Sequence, residues 1–347
     1  MLSEIRCRCE VIKNFAPSWF AAVMGTGILA ISSSMYSDYI PWLDTLAVWL
    51  FYFNIFLFSI FLVPWVLRWI MYRENALADL RHPILSNFYP TLTVGMMVLS
   101  SDFLILDGNM LAAEVLWALG AAGTVFFSFL TPYLVFKGDH VTLDHINPAW
   151  FIPPVGLIVI PIAGSVIAAS KTGTLREIIL LIDIFGWGAG FFLYISLLAV
   201  CMYRFILHHP LPNVLAPTIW INLGPIGAGT LALINIVKYS GLVTIGEPFM
   251  VMALLLWSFG LWWFCMAVLM TLHYIRRLKL PYALSWWAFI FPFGAYVAAT
   301  YAMSNIFNIR LMGWLGLGLY LMLAVMWAVT LVNTAKHAYR GSVFRGG

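Results

Sequence analysis

Charge is scarce in this sequence of 347 residues: Asp, Glu, Lys and Arg make up 9% of it, against 63% hydrophobic residues. A water-soluble domain carries about 25% charged residues, so an ordinary soluble fold is excluded. The net charge of +4 is small and broken up along the chain, which excludes a nucleic-acid footprint. Cys7, Cys9, Cys201 and Cys265 are too few and too scattered for a disulfide framework, and Cys7 and Cys9 read as inert thiols. The histidines are dispersed over His82, His140, His145, His208, His209, His273 and His337. Only Asp139 and Asp144 accompany any of their pairs, which is not the clustering that a metal centre or an acid–base site needs. Neither enzyme chemistry nor a cofactor is therefore expected. A nucleotide-binding motif is missing, so ATP is not the energy source, and no span carries the arginine repeat of a voltage sensor. The polar start MLSEIRCRCEVIKN runs into an apolar stretch without a signal cleavage site.

What fills the sequence instead is long apolar runs. They fall at about 15–36, 46–71, 88–106, 112–136, 149–170, 177–203, 216–237, 249–275, 285–307 and 311–335. Crossing a bilayer takes roughly 20 residues of helix, so ten transmembrane helices are expected, forming one all-α transmembrane domain over residues 1–347. The links after 106 and 307 are short enough to demand tight hairpins. The 16 Trp and 15 Tyr suit two interfacial belts against membrane lipid.

Lys and Arg set the orientation, because cytoplasmic loops retain them. Arg6, Arg8, Lys13, Arg68, Arg73, Arg81, Lys137, Arg204, Arg276, Arg277, Lys279, Lys336, Arg340 and Arg345 fall on one side; Lys171, Arg176, Lys238 and Arg310 fall on the other. Both termini are thus expected in the cytoplasm of a multi-pass cell-membrane protein. Seven acids, Asp38, Asp44, Asp102, Asp107, Glu114, Glu177 and Glu247, fall on the outer side.

Odd and even spans differ in proline. The odd ones hold Pro17, Pro90, Pro153, Pro154, Pro161, Pro217, Pro225 and Pro292; the even ones hold Pro64 and Pro132. Proline removes a helix hydrogen bond, and in lipid the freed carbonyl needs a protein or water partner. The odd helices are therefore expected inside, the even ones against lipid. Odd spans recur about every 60 to 75 residues, which reads as five consecutive hairpins. Such hairpins make either a solid bundle or a ring around an axial path.

Four stretches carry a resemblance: FAPSWFAAVMGTGI from Phe15, DLRHPILSNF from Asp79, PTIWINLGPIG from Pro217 and SWWAFIFPFG from Ser285. Together they resemble the tellurite-resistance/dicarboxylate transporter family, nearer its malate permease and sulfite exporter branch than its plant slow anion channels. The resemblance covers about residues 12 to 336. It implies five hairpins in pseudo-fivefold order around a pore, a homotrimer with one pore per protomer, and a phenylalanine of the ninth helix that closes the pore. The matching residue is Phe291, before Pro292. It also implies a small anion as substrate, with C4-dicarboxylates such as malate favoured and sulfite or simple inorganic anions as the alternative.

The residues themselves admit the same chemistry. An aromatic ring at the waist of a narrow path stops ions where the constriction does not wet, although Phe289 and Phe293 lie close by. Anion selection needs donors and few fixed charges. The inner spans offer Thr26, Thr91, Asn222 and Thr300 as lining or anion-binding candidates, and no acid among their polar groups. Gly25 and Gly224 either leave lumen or let helices approach, with Gly25 the better lumen candidate. At the cytoplasmic mouth Arg81 and His82, with Arg73 and the Arg276–Arg277–Lys279 cluster, would supply positive potential. Asp183, the one carboxylate read as lying well inside a span, is expected to make a structural hydrogen bond.

Overall fold

A computed structural model describes every residue except 1–4, 6, 8, 139–140, 243–245 and 345–347. Arg6, Arg8, Asp139, His140 and Arg345 lie outside the described residues. The apolar runs become helices α1 (Pro17–Asp38), α2 (Leu43–Met71), α3 (Leu85–Asp107), α4 (Met110–Phe136), α5 (Pro148–Ala169), α6 (Gly173–Leu207), α7 (Asn213–Tyr239) and α8 (Glu247–Leu278). They are followed by α9, a 3₁₀ segment Leu284–Phe289 continued by Ile290–Ile306, and α10 (Arg310–Arg340). No strand occurs among the described residues. Nine of these helices combine the length and hydropathy of a membrane span. The exception, α9, is as long as the inner helices α1, α3 and α5 but less apolar. Its Ile290–Thr300 stretch is buried throughout, so lipid places no demand on it.

The tight links form as the spacing requires. Gly108 (φ 71°) turns the chain out of α3, and the Asn109 side chain caps α4 by accepting from the Ala112 N–H. Asn308 takes the left-handed conformation (φ 52°) between α9 and α10. Cys7 and Cys9, expected as inert thiols, lie with their sulfurs next to one another.

Burial separates the two sets of helices. Of the most apolar stretch of each, 67–89% of residues are buried in α1, α3, α5 and α7, against 28–33% in the even helices. Each odd helix packs on the even helix that follows it. The odd helices also close a ring: α1 packs on α3, α3 on α5, α5 on α7, α7 on α9, and α9 back on α1. Close approach within the ring is set by glycine. A Cβ at Gly227 of α7 would lie 2.4 Å from the backbone of Ala295 and Tyr296, and one at Gly294 of α9 would lie 2.5 Å from Ile28.

Proline acts mostly at junctions rather than in mid-helix. Each odd helix opens with a 3₁₀ segment, Pro17–Phe20, Leu85–Phe88, Pro148–Phe151, Asn213–Asn222 or Leu284–Phe289, before the α-helical part. Pro90, Pro153 and Pro154 start the α-helical parts that follow in α3 and α5. Pro225 and Pro292 fall in the first turn of theirs. There the ring's missing N–H belongs to the unpaired first turn, so proline costs little.

Arg68, counted with the loop cations at the level of sequence, is buried at the end of α2. It bonds the Lys13 and Phe15 carbonyls and pairs with Asp79 at 2.6 Å. The Tyr89 hydroxyl donates to the Ala76 carbonyl. Together these tie the short helix Arg73–Arg81 to the starts of α1 and α3.

Candidate functional site

Two cavities lie on the axis of the ring. One, of about 770 Å³, is lined by the C-terminal halves of all five odd helices, including Ile31, Ser101, Val166, Ile234 and Ala302. The other, of about 40 Å³, is lined by their N-terminal parts, including Ser18, Phe88, Ile152, Ile221 and Ser285. The five odd helices therefore run in the same direction around one axis. Phe291 borders both cavities.

The rings beside Phe291 are held otherwise. Phe289 and Phe293 meet Trp220 of α7 edge to face, at 5.7 and 5.3 Å, and Phe293 stacks on Phe264 of α8 at 5.3 Å. Tyr296 stacks on Trp257 and donates to its carbonyl. Among the described residues Phe291 has no ring partner, although it is buried.

The walls are largely apolar. In the large cavity the polar lining is Ser101, Asn235, Lys238, Tyr239, Tyr301 and Asn305, with Lys238 as its cation. The Lys238 ammonium sits 5.0 Å from the ring centre of Tyr239. Asn235 donates to the Ile162 carbonyl, and the Tyr301 hydroxyl donates to Asp38. These polar groups gather at the C-terminal end of the ring, away from Phe291.

The sequence candidates divide. Thr91 and Gly224 line the small cavity with Phe291. A Cβ on Gly224 would find ordinary contacts, 3.5 Å from Pro292 and Val155. Gly25 does not line either cavity: its α-carbon faces α9, where a Cβ would come 3.0 Å from Ile290 and 3.1 Å from Trp287. Its smallness serves helix approach, a correction to the lumen expectation. Thr26 and Thr300 also turn away from the axis. Their hydroxyls accept from the indole N–H groups of Trp327 on α10 and Trp257 on α8. Asn222 is fully buried near the Tyr194 hydroxyl of α6 and has no partner at bonding geometry.

At the N-terminal mouth Arg81 and His82 are exposed. The His82 Nδ1 accepts from the N–H groups of Ile84 and Leu85, at 3.1 and 3.3 Å. Partial burial and the neighbouring His145 push the His82 imidazole below its usual range. It therefore stands neutral at pH 7, as a turn cap rather than a source of positive potential.

Two acids are buried within the spans. Asp183 is buried and accepts from Ser165 of α5, a structural bond as expected. Asp102, grouped with the outer loop acids, is instead fully buried in α3 and bonded to Asn54 of α2. The inner helices thus hold a carboxyl after all. Its sequence signal is its place within the last helical turns of a span, four residues after Val98, which faces the cavity.

The chain matches the family described as voltage-dependent anion channel over residues 14–335. It is 58% identical to an uncharacterized transporter of Methanocaldococcus jannaschii, over 100% of both chains. It is 28% identical to a sulfite efflux pump of Arthroderma otae, over 96% of this chain and 93% of that one. With a malic acid transport protein of Schizosaccharomyces pombe it shares 24% identity, over 91% of this chain and 76% of the other. A ring of five parallel helices inside a jacket of five more, with two cavities on its axis, is thus the form taken by a member of the voltage-dependent anion channel family.

Proposed function

We propose that this chain passes small anions along the axis of its five inner helices, and that Phe291 closes the path between the two cavities. The observation that carries the reading is that one side chain, without a ring partner, borders both cavities while all five inner helices line each. An apolar constriction that narrow stays dry, and a dry constriction stops ions. Moving the ring aside would join the cavities. Thr91 and Gly224 lie beside it, and the parallel inner helices point their positive N-terminal ends at the small cavity, which favours anions over cations.

Among anions, sulfite or another small inorganic anion fits the lining better than malate. A dicarboxylate brings two charges that need desolvation at once, and leaving a charge unpaired in an apolar site is costly. Among the described residues the lining offers one cation, Lys238, to meet them. The resemblance to sulfite efflux pumps over 93% of their length supports the same order.

In this reading the N-terminal ends of the inner helices face the cytoplasm, as the Lys/Arg bias requires, and both termini lie there in the cell membrane. The apolar outer faces of the even helices meet lipid and the other copies of a homotrimer. A flux assay in reconstituted vesicles with sulfite, malate, nitrate and chloride tests the substrate. Sulfite flux above malate flux is expected. Malate flux above sulfite flux would reverse the order, and no flux of any anion would end the reading.

A further inference from the structure

Asp102 and Asn54 meet where α3, α2 and α1 converge. Both are fully buried, and the Asn54 Nδ2 donates to Asp102 Oδ2 at 3.0 Å. A Cβ on Gly27 of α1 would come within 2.7 Å of each of these two atoms, so the α1 backbone closes the third side of the pair. One bond leaves two oxygens, Asp102 Oδ1 and Asn54 Oδ1, buried without a donor. A buried acceptor left unpaired costs about 1–3 kcal/mol, and more if it is charged. A proton on the carboxyl corrects both faults. It removes the buried charge, and it turns an unpaired acceptor into a donor for the amide oxygen, closing the two-bond ring that acids and amides form.

Nothing nearby holds the carboxyl charged. Its one side-chain hydrogen bond among the described residues is that from Asn54. The titratable groups of α1, Tyr36 and Asp38, lie at its far end; α2 has Asp44 and Arg68 near its two ends and an outward Tyr52. On α4, Glu114 pairs with Lys171 and Tyr133 is exposed; α5 has no titratable side chain. On α3 itself, Tyr89 bonds the Ala76 carbonyl and Asp107 ends a π-helical turn, Phe103–Asp107. Such widened turns are frequent at functional sites. The pair also lies next to the lining of the large cavity, to which Val98 and Ser101 on α3 and Ile28 on α1 belong.

We propose that Asp102, paired with Asn54, is a proton-binding site one layer behind the lining of the large cavity, and that anion passage is coupled to its protonation. In the transfer a hydronium ion gives its proton to the Asp102 carboxylate and is left as water. The reverse transfer returns the proton to water. The coupling rests on the anion path proposed above; the protonation does not.

Infrared spectroscopy of the protein in lipid tests the proton site without transport. At neutral pH the wild type is expected to show protonated-acid carbonyl absorption with an Asp102 component that is lost in D102N, shifted in N54L and in G27A, and kept in D183N. An unchanged spectrum in D102N would overturn the proposal. Coupling is read from vesicle flux of chloride or nitrate, which do not titrate near neutrality, with internal pH followed by a dye. Wild-type flux is expected to vary with pH and to carry protons, and D102N flux to persist with both effects lost. Proton movement unchanged in D102N would overturn the coupling. Absence of all anion flux from the wild type would overturn the coupling and the path together, while the infrared band still decides the proton site.

Discussion

Phe291 and Gly224 both line the small cavity, and each precedes a proline in its own helix. In α7 that place is held by a hydrogen, in α9 by a ring. Because a Cβ at Gly224 has ordinary contacts, Gly224→Ala is expected to fold with unchanged thermal stability. Gly224→Leu would fill a cavity of about 40 Å³ and is expected to remove most of the anion flux, measured in vesicles at equal protein load. Full flux in the leucine variant would take Gly224 off the path. Phe291 was picked out of the sequence by its motif, whereas the directions of the Thr26 and Thr300 hydroxyls were not legible, for a physical reason. A hydroxyl on an inner helix has two directions open to it, and the indoles that claim these two lie on α10 and α8, far away in sequence. Asp102 was missed in the same way, since only the fold shows that Asn54 and Gly27 enclose it.

Among the elements, the inner helices were recognisable by proline, but the geometry that proline marks is a change from 3₁₀ to α-helix rather than a bend in mid-span. What holds neighbouring elements together is less visible in the sequence, because it depends on which glycine meets which backbone. At Gly227 an added methyl would meet the α9 main chain at 2.4 Å, with no flexible side chain to yield. Gly227→Ala is therefore expected to cost about 1–3 kcal/mol through overpacking, read as a lower melting temperature in detergent. The turn leading into α3 offers a test of a different kind. Since His82 is held below the usual imidazole range, the unfolded chain takes up a proton there before the folded turn does. The stability it contributes is present above the ordinary imidazole range and is lost as the pH falls through it. Amide exchange at Ile84 and Leu85 should accelerate over that interval. His82→Ala should make it fast at every pH, at a cost of about 1 kcal/mol for the lost acceptor.

Over the whole molecule, composition alone excluded a soluble fold, and proline together with the period of the odd spans anticipated a ring within a jacket. Burial then divides the helices along the same line. The sequence could not show whether the ring was solid, because that depends on how far five apolar walls stand apart, and their spacing is set by the glycines between them. Two cavities with one phenylalanine between them answer that question. The most direct measurement is anion flux through wild type and Phe291→Ala, reconstituted side by side at equal folded yield. Removing the ring should join the cavities and raise flux severalfold with the preference for anions over cations retained. Flux unchanged by the loss of that ring would show that the path is closed elsewhere, or that anions do not take it.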